Sequence, residues 1–226
     1  MLDSLNKKKT ILLLLPFFGI IIFIFLYILA TRCYPGGSQI DRNAEGFSWS
    51  QNYWCNLLSV TAINGQPNKA RPIAMMALII LSVALSIFWI QFPLHSNLSK
   101  SIKRIFQLSG LITQITAMFL FTALHDLVIN VATLFGLVAM CGTLIIIYKL
   151  NWKILFWLGT INLLLILLNN ILYYRDGLIQ FLPVVQKITF LYFLLWISLI
   201  DIRFFRERSH QPDSPNPSQT DTPPLL

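Results

Sequence analysis

The sequence predicts an all-α fold: a polytopic membrane bundle of six transmembrane helices with both termini in the cytoplasm. Three observations predict it. Hydrophobic residues make up 56% of the 226 positions and charged residues 12%, about half the charged share of an ordinary globular protein. Six apolar runs of 20–22 residues each match the roughly 20 residues that cross a hydrocarbon core about 30 Å thick. Basic residues are unequally divided between the two sets of connecting segments, as orientation in a bilayer requires. Seventeen Phe, seven Tyr and six Trp, with a mean hydropathy of +0.67, present more apolar surface than a soluble core of this size can hide. A cytosolic enzyme, a secreted disulfide scaffold and a disordered chain are excluded.

The elements follow in order. Residues 1–10 form a basic cytoplasmic N-terminus carrying Lys7, Lys8 and Lys9. Residues 11–208 form the transmembrane domain, beginning with span 11–30. This run exceeds the 7–15 residues of a signal-peptide core and leaves through Thr31-Arg32-Cys33 without a small-x-small cleavage site, so it is expected to be retained. The outer loop 31–71 is the only sizeable soluble segment. It opens on the turn Pro35-Gly36-Gly37. Between Phe47 and Ile63 it mixes Trp49, Tyr53 and Trp54 with Leu57, Leu58 and Val60, which reads as a short amphipathic segment on the membrane surface. The remaining spans are 72–93, 105–124, 127–148, 154–174 and 180–200. Continuous apolarity, rather than alternation, selects helices over barrel strands. His125-Asp126 joins the third span to the fourth, and Lys149–Lys153 joins the fourth to the fifth. Residues 209–226, rich in Pro, Ser, Thr and Asp, predict a disordered cytoplasmic tail.

Orientation follows from the basic residues. With the N-terminus inside, the inner segments hold Lys7, Lys8, Lys9, Lys100, Lys103, Arg104, Lys149, Lys153, Arg203, Arg206 and Arg208. The outer side holds Arg32, Arg42, Lys69, Arg71, Arg175 and Lys187, four of these six in or bounding the long first loop. The positive-inside preference therefore favours cytoplasmic termini in a multi-pass protein of the cell (inner) membrane. The net charge of +8 suits a basic ring facing anionic lipid, so membrane lipids are the expected partners. Nucleic acid is not expected, because no basic domain exists outside the spans.

Catalytic and metal motifs are absent: there is no Gly-rich phosphate loop, no HExxH and no CxxC, and the three histidines are far apart. No metal and no cofactor is expected. Cys33 and Cys55 share the outer loop, where an oxidising compartment permits a bridge. It would close about 22 residues and contribute roughly 3 kcal/mol on the chain-entropy model. The alternative is two free thiols. Cys141 reads as a small packing residue.

Polar residues cluster by depth at the outer ends of the spans. Lys187 is the one charged residue inside the span limits, and intramembrane ionisable groups commonly mark function; the plain alternative is a lysine that snorkels to water. His125 and Asp126 lie at the third-to-fourth turn, where Asp126 can equally be a helix N-cap. Asn130, Asn169 and Asn170 reach similar depth, although asparagines in membrane helices also serve as interhelical glue. A shared outward-facing pocket is expected, with Lys187 opposite Asp126, the three asparagines as ligands, and Arg71 with the Trp-Tyr cluster as a lid. His125 is the weak candidate for acid–base chemistry, with Asp126 beside it. Whether the protein is an enzyme stays open at this stage. The leading reading is an integral membrane protein handling lipid headgroups; a non-catalytic scaffold or assembly factor and a small-solute transporter are the alternatives.

Two stretches of the first loop, Ser50-Gln51-Asn52-Tyr53-Trp54-Cys55-Asn56-Leu57-Leu58-Ser59 and Asn68-Lys69-Ala70-Arg71-Pro72, carry a resemblance. With six spans around them, they look like uncharacterised bacterial six-span proteins near the Frag/DRAM/Sfk group. Asn56–Ser59 and Asn68–Arg71 match that group's pattern loosely, with Lys69 where the pattern has Pro. The resemblance implies a polytopic protein, with some relatives linked to lipid-anchor remodelling or membrane stress, and it supplies no catalytic residues.

Overall fold

The computed structural model describes residues 12–122, 124–175 and 177–209. Among these, six α-helices run in order: α1 Leu15–Arg32, α2 Arg71–Gln91, α3 Lys100–Ala117, α4 His125–Lys149, α5 Lys153–Tyr173 and α6 Leu182–Ser209. Pro16 and Pro72 sit in the first turns of α1 and α2, where a missing N–H costs nothing because those donors have no intrahelical acceptor. Each helix packs on the next, and α6 returns to α1, so the chain closes a ring. The core gathers Ile20 and Phe23 of α1, Phe88 and Phe92 at the end of α2, Ile146 and Ile147 of α4, and Trp196 and Ile197 of α6. Outward residues such as Phe18, Phe25, Ile79, Leu134, Leu164 and Leu195 are equally apolar and exposed. Apolarity on all sides is the signature of a helix whose solvent is lipid.

Among the described residues five segments are long and apolar enough to cross a membrane: Leu12–Arg32, Arg71–His95, Leu127–Lys149, Lys153–Tyr173 and Ile179–Ser209. The third expected span, 105–124, takes a different form. Its helix starts earlier, at Lys100, where the Ser99 hydroxyl accepts the Ile102 N–H, and it ends at Ala117. Beyond that point Phe119, Leu120 and Thr122 bond back to Thr116, Ala117 and Phe119 in tight turns. Lys100, Lys103 and Arg104 in its first turns make α3 the most polar helix of the ring. Even so, α3 runs between the same two ends as its neighbours. At one end Lys103 and Gln107 donate to Leu94 O (3.4 Å) and Ile90 O (2.7 Å); at the other, Phe121 just beyond α3 receives the Arg71 guanidinium over its ring at 6.0 Å.

Small residues set the helix spacings. Gly19 meets Ala84, Gly110 lies against the Trp89 side chain, and Gly142 lies against the Phe106 ring. These contacts leave no room for a side chain, the arrangement that lets membrane helices approach closely. A Cβ on Gly110 would overlap the base of the Trp89 ring, whereas one on Gly136 would rest 3.5 Å from Thr113, an ordinary contact. Gly110→Ala is therefore expected to destabilise the bundle by about 1–3 kcal/mol and Gly136→Ala to be near neutral, read from thermal unfolding midpoints in detergent.

Candidate functional site

The loop Thr31–Arg71 is folded over one end of the ring as a hydrogen-bonded cap. Gly37, at φ +83°, makes its first turn; a Cβ there would strike the backbone of Ile63 and Asn64. The Tyr34 hydroxyl accepts the Ile63 N–H at 3.1 Å, closing the cap from its two sides. The stretch Phe47–Ile63 packs on the helix ends. Trp54 starts a 3-10 turn, Trp54–Leu58, and its ring wedges between α1 and α6, 5.0 Å from Tyr27 and 5.3 Å from Phe190. Leu57 and Leu58 are buried beneath it.

A 3-10 turn leaves carbonyls without partners at its C-terminal end. Here Asn68 Nδ2 donates to Asn56 O (3.1 Å), Leu57 O (3.2 Å) and Ser59 O (2.9 Å). Arg71 Nε takes the remaining one, Leu58 O, at 3.1 Å. Asn68 Oδ1 also accepts the Ala70 N–H, at 3.1 Å, at the entry to α2. The two loop stretches singled out in the sequence are therefore bound to each other, and Arg71 serves the cap's own backbone.

Lys187 joins this cap to α6. It is 5% exposed, so its ammonium needs acceptors in place of water. It donates to Asn52 O at 2.5 Å and to Pro183 O, one turn earlier in its own helix, at 2.6 Å. The Phe47 ring lies 5.8 Å away and adds a cation–π contact. Asn52 is fully buried and is itself fixed from both ends of its amide: Nδ2 donates to Gly37 O at 2.9 Å, and Oδ1 accepts the Ser48 N–H at 2.8 Å.

The other expected site residues scatter. Asn169 Nδ2 donates to Leu165 O (2.8 Å) and to Thr189 Oγ1 (2.6 Å), tying α5 to α6. Asn170 bonds only back to Ile166 O and is exposed; Asn130 is exposed on α4. The side chains of His125 and Asp126 lie outside the described residues. The α3–α4 link is longer than the expected His125-Asp126 join, because α3 stops at Ala117 and α4 starts at His125. Among the described residues no cluster of three His, Cys, Asp or Glu side chains could hold a metal. Cys141 is exposed on α4 rather than packed.

In the structure Cys33 and Cys55 are free thiols, the second of the two alternatives for this loop. Each belongs to a differently anchored piece: Cys33 caps α1 through its N–H on Ala30 O, whereas Cys55 sits inside the 3-10 turn that Asn68 and Arg71 hold. Burial pushes the Cys55 thiol above its ordinary range, an effect that the nearby Lys187 charge partly offsets.

The loop groups that sequence reading missed are Asn52 and Asn68 as hubs. Asn52 lies among other polar residues in an aromatic stretch and Asn68 follows the turn Asn64–Pro67, and neither local context marks a hub.

Two outcomes are expected. Both Cys33 and Cys55 label with an alkylating reagent in unreduced protein. Cys55 reacts slowly at neutral pH and accelerates as pH rises, because only the thiolate attacks and burial disfavours it. Asn68→Ala strands several backbone groups and lowers stability by about 2–4 kcal/mol, seen as an earlier thermal midpoint and faster Cys55 labelling.

No family model matches the chain, and no curated protein and no solved structure matches it.

Proposed function

We propose that the chain is a non-catalytic integral membrane protein, a scaffold or assembly factor, whose cap Thr31–Arg71 is the surface presented outside. In this reading it crosses the bilayer six times, with both termini cytoplasmic. The apolar helical bundle supports the membrane setting. The even number of crossings draws support from α3, tied to its neighbours at both ends of the ring. The end that gathers Lys100, Lys103, Arg104, Lys149, Lys153, Arg203, Arg206 and Arg208 suits the cytoplasmic side.

One observation carries the functional part: the Lys187 ammonium is spent on Asn52 O and Pro183 O. Arg71 Nε is likewise engaged by Leu58 O, and Asn169 Nδ2 by Leu165 O and Thr189 Oγ1. Groups that a headgroup-handling pocket would use are holding the protein to itself. What they hold is a rigid cap that exposes Ile40, Trp49 and Val60, large apolar side chains of the kind that mark interaction surfaces.

A second reading, lipid-headgroup binding, is favoured by one feature. A groove of about 250 Å³ runs between the cap and the start of α6, lined by Gln39, Ile40, Gln51, Tyr53, Ile179, Gln180 and Pro183. Its amides and phenol suit a neutral, hydrogen-bonding headgroup.

Lys187→Met tests the carrying observation. It leaves Asn52 O without its donor, at a cost of about 1–3 kcal/mol. The variant is expected to insert normally while its cap loosens, with faster Cys55 labelling and proteolysis near Gln51. Wild-type accessibility in the variant would sink the proposal. Reporter fusions after Ser50 and after Gln211 are expected to report outside and inside respectively; the reverse pattern overturns the orientation. Lipid retained by the wild type but lost in Gln51→Ala and Gln180→Ala would favour the groove reading over the scaffold.

A further inference from the structure

The basic end of the ring holds a second polar cavity, of about 150 Å³, lined by His95, Leu150, Trp152, Phe204, Glu207 and Arg208. Three chain segments build it. Residues Phe92–His95 extend α2 as a 3-10 turn. The α4–α5 turn supplies Trp152: Asn151 adopts φ 57°, and the N–H groups of Asn151 and Trp152 cap Tyr148 O and Ile147 O at 3.1 Å each. This is the two-bond helix ending that fixes the direction of the next residue. The last turns of α6 supply Phe204, Glu207 and Arg208.

The charges around the cavity do not cancel. Glu207 Oε1 accepts from Trp152 Nε1 (3.1 Å) and from Arg203 Nε (2.9 Å), so Arg203 neutralises the carboxylate. Arg208 instead has an N–H directed at His95 Nε2. His95 Nδ1 lies 3.1 Å from Gln91 O, an acceptor only, which assigns the ring proton to Nδ1 and leaves Nε2 as a neutral acceptor. Arg208 therefore keeps its full positive charge and further N–H donors at the cavity, and its guanidinium lies 6.0 Å above the Phe204 ring. Trp152, Phe204 and Leu150 form apolar walls. Exposed Leu94, Tyr148 and Ile154 belong to the same end of the bundle. A cation beside apolar walls, at the level where spanning helices end, meets phospholipid headgroups.

We propose that this cavity binds the phosphate group of an anionic phospholipid, with Arg208 as the principal donor and Trp152 and Phe204 packing the adjoining glycerol. Guanidinium matches phosphate through paired N–H donors, and a basic pocket between helix ends is a known way to hold such headgroups. The site is distinct from the cap and does not depend on which side of the cell this end faces.

The test uses the full chain reconstituted in vesicles of phosphatidylcholine with or without phosphatidylglycerol, with lipid retained after detergent extraction measured by mass spectrometry. Selective retention of phosphatidylglycerol is expected in the wild type. Arg208→Gln and Arg208→Lys are both expected to reduce it about fivefold, the lysine because it keeps the charge but loses the planar donor pair. Arg206→Gln, an exposed neighbour on α6 that does not line the cavity, is expected to retain selectivity. Unchanged thermal midpoints without phosphatidylglycerol establish that the variants are folded. Equal losses in the Arg206 and Arg208 variants would mean diffuse surface charge and overturn the proposal, as would wild-type retention in Arg208→Lys. Displacement of the lipid by millimolar inorganic phosphate would assign the cavity to free phosphate and overturn the lipid source.

Discussion

A primary ammonium within an apolar helix end is the constraint on which the cap depends. Lys187 cannot give up its hydration without replacing it, and at 5% exposure it has done so with two backbone carbonyls and an aromatic face. One of those carbonyls belongs to Asn52, 135 residues earlier in the chain. Satisfying one charge therefore fixes a long loop against the last helix, and the loop's own network then propagates the order. Asn52 fixes Gly37 and Ser48; Asn68 and Arg71 fix the four carbonyls from Asn56 to Ser59. Hydrogen bonds of this kind gain little individually in water, but leaving a buried partner unmade is expensive, so the network holds or loosens as a unit.

The same helix carries a second buried ionisable side chain toward its other end. Asp201 is 3% exposed and faces the Phe17 backbone, in the first turn of α1. Lys187 and Asp201 lie fourteen residues apart, about 21 Å along a helix. Between them Phe190 packs on Phe23 at 5.7 Å, and Trp196 Nε1 donates to Leu155 O at 2.8 Å. α6 thus closes the ring by contacts at both ends and along both flanks.

α3 shows how a helix of mixed polarity is kept in such a bundle. Its helix ends at Ala117, short of the expected limit, and three basic residues crowd its first turns. It is retained by what it touches: Gly110 against Trp89, Phe106 over Gly142, and the polar ties of Lys103 and Gln107 to the end of α2. These are contacts between chain segments.

The sequence by itself determined the all-helical class, the apolar segments and their approximate limits, and the division of basic residues. Those properties are carried by local composition and length, although the run 105–124 departs from its expected limits, its helix starting at Lys100 and ending at Ala117. It also picked out Lys187, because a charge in an apolar run is visible without knowing its neighbours. Where that charge points is a different matter. The expectation that Lys187, Asn169, Asn170 and Asn130 share a pocket treated equal depth as proximity, but depth leaves each helix free to rotate. Rotation is set by packing, and packing turned Asn169 to Thr189, Asn170 and Asn130 outward, and Lys187 to Asn52. The same holds for the basic end, where His95, Trp152, Glu207 and Arg208 come from three distant parts of the chain. Tertiary structure alone decided which polar groups meet, because a buried hydrogen bond depends on the partner delivered by another helix and on its angle of approach, neither of which is encoded in any local stretch.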